Sequence, residues 1–221
     1  MEVSHSILSA EDTDVLQELM NIAFGKAAAD LSQVMDLFVV LSVPKVRVIS
    51  AAEFLPYLRD AYVQRSAVNV VEQAFRGPIC GRAVLTLPAN SSQKLLAALG
   101  APAPAEPGGD ELDPAYDTNV LERETLMEVG NIVIGACVGK LAELLDCVVM
   151  YAPPAVTTLQ AGGAGLELLT LDPSHSVIVL QTLFCFNDQD ASGHVFLIID
   201  DGSASWLRQA LARFLASYGQ G

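Results

Sequence analysis

Two short stretches of the 221-residue chain place the same side chains at the same spacing. In "LQELMNIAFGKAAADL", Glu18 is followed three residues later by Asn21 and four later again by Gly25; "LMEVGNIVIGACVGKL" repeats that order with Glu128, Asn131 and Gly135, each 110 residues further on. At about 100° per residue on an α-helix, Asp14, Glu18, Asn21 and Gly25 fall within a stripe about 60° wide, and Glu124, Glu128, Asn131 and Gly135 fill the same stripe in the second copy. The chemistry open to such a stripe is narrow. An asparagine carboxamide is neither an acid nor a nucleophile near neutral pH, but it donates and accepts at once, so it can hold a water in a chosen orientation. A glutamate beside it can act as a general base or clamp a lysine through a charge-assisted bond. No Ser-His-Asp set, H-E-x-x-H or G-x-x-x-x-G-K-[ST] accompanies the stripe, so a reaction on it needs a substrate that brings most of the machinery.

On a single helix, Glu and Asn at this spacing are ordinary decoration of a solvated face. Retention of the spacing in two copies is what favours a functional reading. Glycine inside a helix costs roughly 1 kcal/mol against alanine, yet Gly25 and Gly135 hold the same register. Two explanations are open: tight packing of helix on sheet, or a flat stripe that another protein's surface can approach.

The elements that must carry the stripe repeat as well. The match runs from Leu16/Leu126 to Pro44/Pro154 and Val46/Val156 without a gap, then resumes at "CGRAVLTL" against "SGHVFLII" with an offset of 112. Periodicity predicts a helix opening each half, with Ser9 and Asp12 placed for a capping box before the first. A strand follows in each half (38–49 and 147–159), interrupted by Pro44 or Pro154, which cannot donate to a ladder and mark a strand end or edge. Then come a variable region, a two-stranded hairpin and a closing helix, with Ser91 and Ser203 at an N-cap or in a first turn. The expected fold class is α/β of the α+β type, built of duplicated helix-strand-hairpin-helix units. The expected organisation is a single domain over 1–221, with repeats at 9–100 and 120–221 joined by a Pro- and acid-rich connector at 101–119. The Gly-rich segment 160–167 lacks a dinucleotide-site pattern and reads as a surface turn.

Composition bounds the partners. Apolar residues make up 52% of the chain and charged ones 17%, which suggests elements buried on more than one face. The strongest apolar run, 129–139, is fenced by Glu128 and Lys140 and falls short of the roughly 20 residues a bilayer needs, so no membrane insertion is expected. The N-terminal residues show no basic segment followed by an apolar one, so a cytoplasmic location is expected. A formal charge of −14 opposes binding to nucleic acid or to an anionic membrane surface. Cys80, Cys137, Cys147 and Cys185 have no C-x-x-C spacing and read as reduced core thiols, and the three histidines show no ligand spacing.

The pattern Asp14-x-x-x-Glu18-x-x-Asn21 with Pro44 following, repeated as Glu128-x-x-Asn131 with Pro154, resembles the signature of the CheC/CheX/FliY phosphatases of bacterial chemotaxis. Two motif copies, with no FliN-like segment after Gly221, resemble CheC-like members most. The resemblance implies a fold in which the two repeats share a mixed β-sheet about a pseudo-twofold axis, with the motif helices outside, and a substrate, the phosphorylated aspartate of a CheY-like response regulator. It implies that Asn21 and Asn131 orient the attacking water while Glu18 and Glu128 pair with the regulator's lysine. No cofactor of its own is implied; the divalent metal, Mg, belongs to the regulator. The resemblance also implies CheD, a receptor deamidase, as a further partner, and leaves a non-catalytic binding module as the alternative. The leading position of the motif is Asp14 in one copy and Glu124 in the other, a longer carboxylate that bears on docking.

Overall fold

The computed structural model describes residues 8–36, 38–60, 67–98, 118–160, 171, 172, 175–186 and 189–218. The connector at 101–117 and most of the Gly-rich segment, 161–167, lie outside the described residues, and positions 118 and 119 belong to a helix. The first half runs α1 (Ala10–Met35), β1 (Val39–Leu41), β2 (Lys45–Ser50), α2 (Ala51–Leu58), β3 (Val68–Arg76), β4 (Gly81–Pro88) and α3 (Ala89–Ala98). The second runs α4 (Thr118–Leu144), β5 (Met150–Tyr151), β6 (Ala155–Leu159), β7 (Ser176–Phe186), β8 (Gln189–Ile199) and α5 (Asp201–Tyr218).

The start of α1 is the capping box expected from its sequence. Ser9 Oγ accepts from the Asp12 N–H at 3.0 Å while the Asp12 carboxylate accepts from the Ser9 N–H at 3.0 Å, so two donors of the first turn are satisfied reciprocally. After α1 and α4 the chain turns through Asp36 and Asp146, both left-handed with φ of 51° and 53°, a conformation that a short polar side chain tolerates. These aspartates are also 110 residues apart, so the repeat extends to the backbone turn. Pro44 and Pro154 each fall between two short strands, which accounts for the interruptions. One helix escaped the sequence reading: α2 lies in the segment taken as variable, opened by a second capping box between Ser50 and Glu53. Ser203 lies in the first turn of α5, whose N-terminal N–H groups are met by Asp200, with Ser203 N–H donating to its carboxylate at 2.7 Å.

The sheet has eight strands in the order β1-β7-β8-β4-β3-β5, with β2 also on β7 and β6 also on β3. Every pairing among the described residues is antiparallel, so the sheet is not the mixed one expected: hairpins join β3 to β4 and β7 to β8, and the strands after each motif helix enter antiparallel to a strand of the other half. At the centre the equivalent strands β4 and β8 pair with each other, from Gly81↔Ile199 to Thr86↔His194. The strands that follow each motif helix cross over: β1 and β2 pair with β7 of the second half, and β5 and β6 with β3 of the first. Strand order is therefore symmetric about the β4/β8 seam.

The central strands are buried on both faces. Ala83, Leu85, Leu87, Leu197 and Ile199 point to a core shared with α1, α4 and α5, whereas Val84, Phe196 and Ile198 point to a second core with Phe54 and Leu58 of α2. Two-sided burial explains why the chain is so apolar. The stretch Glu122–Leu144 of α4 is, over a window longer than the run read from the sequence, long and apolar enough to cross a membrane, yet half of that window is buried inside this fold. Its hydropathy serves the sheet beneath it: Leu126, Val129, Val133, Ile134 and Cys137 are all buried in the larger core.

Candidate functional site

The motif helices α1 and α4 lie side by side. Lys140 Nζ reaches Asp30 Oδ2 at 3.0 Å, and Lys26 faces Glu143 at 3.9 Å, so numbering rises along one helix as it falls along the other and the two run antiparallel. Asp30 and Lys140 are equivalent positions of the repeat, which puts the crossing on the pseudo-twofold axis. Asn21 and Asn131 each lie nine residues before that crossing, about 13 Å of helix rise on opposite sides of it. The structure thus brings each glutamate to its own asparagine and keeps the two pairs apart.

At the first site, Leu16, Leu19, Met20, Ala23 and Phe24 turn into the core and leave Asp14 and Glu18 exposed, with Asn21 half-buried beside them. Asn21 Nδ2 stands 3.5 Å from Glu18 Oε2. Its Oδ1 accepts from Gln17 Nε2 at 3.2 Å. Gln17 in turn spans from helix to sheet: Nε2 donates to the Pro44 carbonyl, and Oε1 accepts from the Val46 N–H at 2.8 Å. The proline shared by both repeats therefore has a carbonyl that ties the motif helix to the strand pair beneath it.

At the second site Glu124, Glu128 and Asn131 are exposed. Glu128 and Asn131 border a shallow depression of about 390 Å³ whose lining includes Met127, Tyr151 and Pro154. Position 127, the counterpart of Gln17, is a methionine. The polar contact to Asn131 comes instead from Gln73 of β3, only 2% exposed, whose Nε2 donates to Asn131 Oδ1 at 2.6 Å and to the Ala152 carbonyl at 2.9 Å. The Gln73 Oε1 is buried without a partner among the described residues. Tyr151 closes one end, its hydroxyl donating to the Gly135 carbonyl at 3.5 Å. Burial, with the neighbouring Cys137 and Cys147, pushes that phenol up to about 12, so it stays protonated. Gln17, Gln73 and Tyr151 were not singled out from the sequence. Gln17 lay within the quoted motif, one turn before Asn21; nothing in the apolar strand "VNVVEQAFR" connects Gln73 to a helix 58 residues away.

The motif glycines resolve against packing. A Cβ at Gly25 or at Gly135 would meet nothing within 4 Å. The glycine that α4 needs for packing is Gly130, where a Cβ would overlap the Val71 side chain; its counterpart in α1 is the buried Met20. Large apolar side chains are exposed at matching positions of the repeat: Phe38 (64%) and Val148 (79%), Val40 (43%) and Met150 (71%). Among the described residues, no group of three or more His, Cys, Asp or Glu is placed to hold a metal ion. Cys80, Cys137 and Cys147 are free thiols; Cys137 is buried, with its thiol pushed up to about 12, while Cys80 is exposed rather than a core thiol.

A model of the CheC-like family matches residues 121–157, which include Glu128, Asn131 and Pro154. The CheY-P phosphatase CheC of Bacillus subtilis (strain 168) is 24% identical over 212 residues, covering 94% of this chain and 97% of that protein. Among solved structures, Thermotoga maritima FliY superposes with a TM-score of 0.67 at 22% identity, covering 94% of this chain and 98% of that one. The FliM middle domain from H. pylori shares the fold with a TM-score of 0.57 at 12% identity, covering 92% of this chain and 99% of that one. With two Glu-x-x-Asn stripes, each tied to its proline-marked strand break, the chain is similar to CheC over nearly its whole length and shares the fold of FliY.

Proposed function

We propose that this protein is a phosphatase that hydrolyses the aspartyl phosphate of a CheY-like response regulator. The observation that carries the reading is the duplicated stripe: on two helices whose apolar faces are buried in the core, the same glutamate is exposed with the same carboxamide three residues on. The relative of known activity, a CheY-P phosphatase, aligns with nearly the whole chain. A protein substrate suits the setting, since the second site is a shallow depression and large apolar side chains are exposed at equivalent positions of the two halves.

In this mechanism Asn21 and Asn131 hold a water in line with the phosphorus. The water oxygen bonds to phosphorus as the bond to the aspartyl oxygen breaks, releasing inorganic phosphate and a free carboxylate. An acyl phosphate is already reactive, so positioning is most of what the helix must supply. The regulator's own divalent metal and lysine neutralise the phosphoryl oxygens. Glu18 and Glu128 pair with that lysine through a charge-assisted bond and fix the docking register. CheD is a further proposed partner, through a surface that these two sites do not define.

Incubation with a phosphorylated CheY-like regulator tests the reading by the loss of phosphate over the regulator's own decay. A module that binds without turnover is the alternative, and the fold shared with the FliM middle domain accommodates it. Binding that persists while decay is unchanged would select that alternative.

A further inference from the structure

We infer that Gln17 and Gln73 are positioning residues that lock the asparagine carboxamides in one orientation, Oδ1 toward the sheet and Nδ2 toward the partner. This rests on the phosphatase reading for its consequence, though not for its geometry. A backbone carbonyl only accepts and a backbone N–H only donates, so the main chain fixes which end of each glutamine lies where. The Pro44 carbonyl selects Gln17 Nε2 and the Val46 N–H selects Gln17 Oε1. Nε2 must then face an acceptor, which assigns Oδ1 as the inner atom of Asn21. At the second site the Ala152 carbonyl selects Gln73 Nε2, and the same logic assigns Oδ1 of Asn131.

The two clamps come from unrelated positions, one on the motif helix and one on β3, and they make the same bond. Gln73 stands on the core-facing side of β3 between Val71 and Phe75, where an apolar residue would leave no buried oxygen without a partner. Its placement is explained by what it does to Asn131. With one Oδ1 lone pair tied down, the carboxamide cannot flip, so Nδ2 faces an incoming oxygen while the second Oδ1 lone pair remains for a water hydrogen.

Single-site proteins separate the clamps. With Asn21→Ala leaving only the second site, Gln73→Leu should lower kcat for regulator dephosphorylation about tenfold, the loss of one well-made hydrogen bond, with KM unchanged. Adding Met127→Gln, which places a carboxamide at the register of Gln17, should restore much of that kcat. With Asn131→Ala leaving only the first site, Gln17→Leu should likewise lower kcat at constant KM. Side-chain amide NMR of Asn21 and Asn131 reads the clamp without turnover: each NH2 pair should shift when its own glutamine is replaced and hold when the other is. Unchanged kcat in both single-site proteins, or a loss without rescue that tracks a lower melting temperature, would overturn the inference. A wild-type protein without turnover whose amide resonances still respond one-to-one would sink the phosphatase reading and leave the clamp standing.

Discussion

Asn21 is held by a glutamine of its own helix, whereas Asn131 is held by a glutamine from a strand in the opposite half of the chain. Around that shared bond the helix seats differ. Met20 fills the space beneath α1, while at the matching position Gly130 lets α4 close onto Val71. The two sites also lead with carboxylates of different length, Asp14 and Glu124. What the duplication has kept is the outward pair and its tie to the proline-marked turn; the route by which the carboxamide is braced was free to change. A consequence follows for independence: both glutamines belong to the first half, so the second site depends on the pairing of β3 with β5 and β6.

The comparison can be broken most forcefully by removing one site at a time. Asn131→Ala should leave only the turnover of the first site and Asn21→Ala only that of the second, each measured as regulator dephosphorylation, with the two remainders summing to the wild-type rate. A total loss from either single substitution would show that the sites act as one unit. Next in size is the seat of the helix. Gly130→Ala forces a methyl group into Val71 and should destabilise the fold by about 1–3 kcal/mol in denaturant unfolding. The motif glycines should behave in the opposite sense: Gly25→Ala and Gly135→Ala place a methyl in open space and should stabilise by about 0.5–1 kcal/mol, the backbone entropy that glycine wastes in a helix. Stability gained together with weaker regulator binding would support the flat-stripe explanation for their presence.

The smallest effect separates the two seam strands. Arg82 of β4 pairs with Glu72 at 3.0 Å, whereas His194, at the matching position of β8, stacks on Phe196 and meets Tyr57 edge-on. Burial lowers the His194 imidazole from 6.5 to about 4. Between those values the unfolded chain takes up a proton that the folded chain does not, so stability should fall as pH drops from 6.5 toward 4. Thermal melting should show a decline of roughly 2 °C between pH 7 and 5.5 that His194→Gln flattens.

The stripe, the capping box at Ser9 and the strand breaks at Pro44 and Pro154 were legible because each depends on neighbours within a turn or two of the chain. The helix α2 carried the same kind of signal in Ser50 and Glu53, but Pro56 inside it and the Gly-rich sequence at the matching positions of the repeat hid it. Gly25 and Gly135 could be placed on the stripe, yet only the third dimension shows that nothing presses on them and that Gly130 is the tight one. Gln73 was out of reach for a similar reason. Strand periodicity gives the face of a residue, not the helix that lies across it.

The most direct test of the account is phosphate loss from a phosphorylated CheY-like regulator, followed with the wild-type protein and with the Asn21→Ala, Asn131→Ala double variant. Acceleration by the wild type and a return to the regulator's own decay in a double variant that remains folded is the predicted result. Equal decay with and without the wild-type protein, or full acceleration by the double variant, would contradict it.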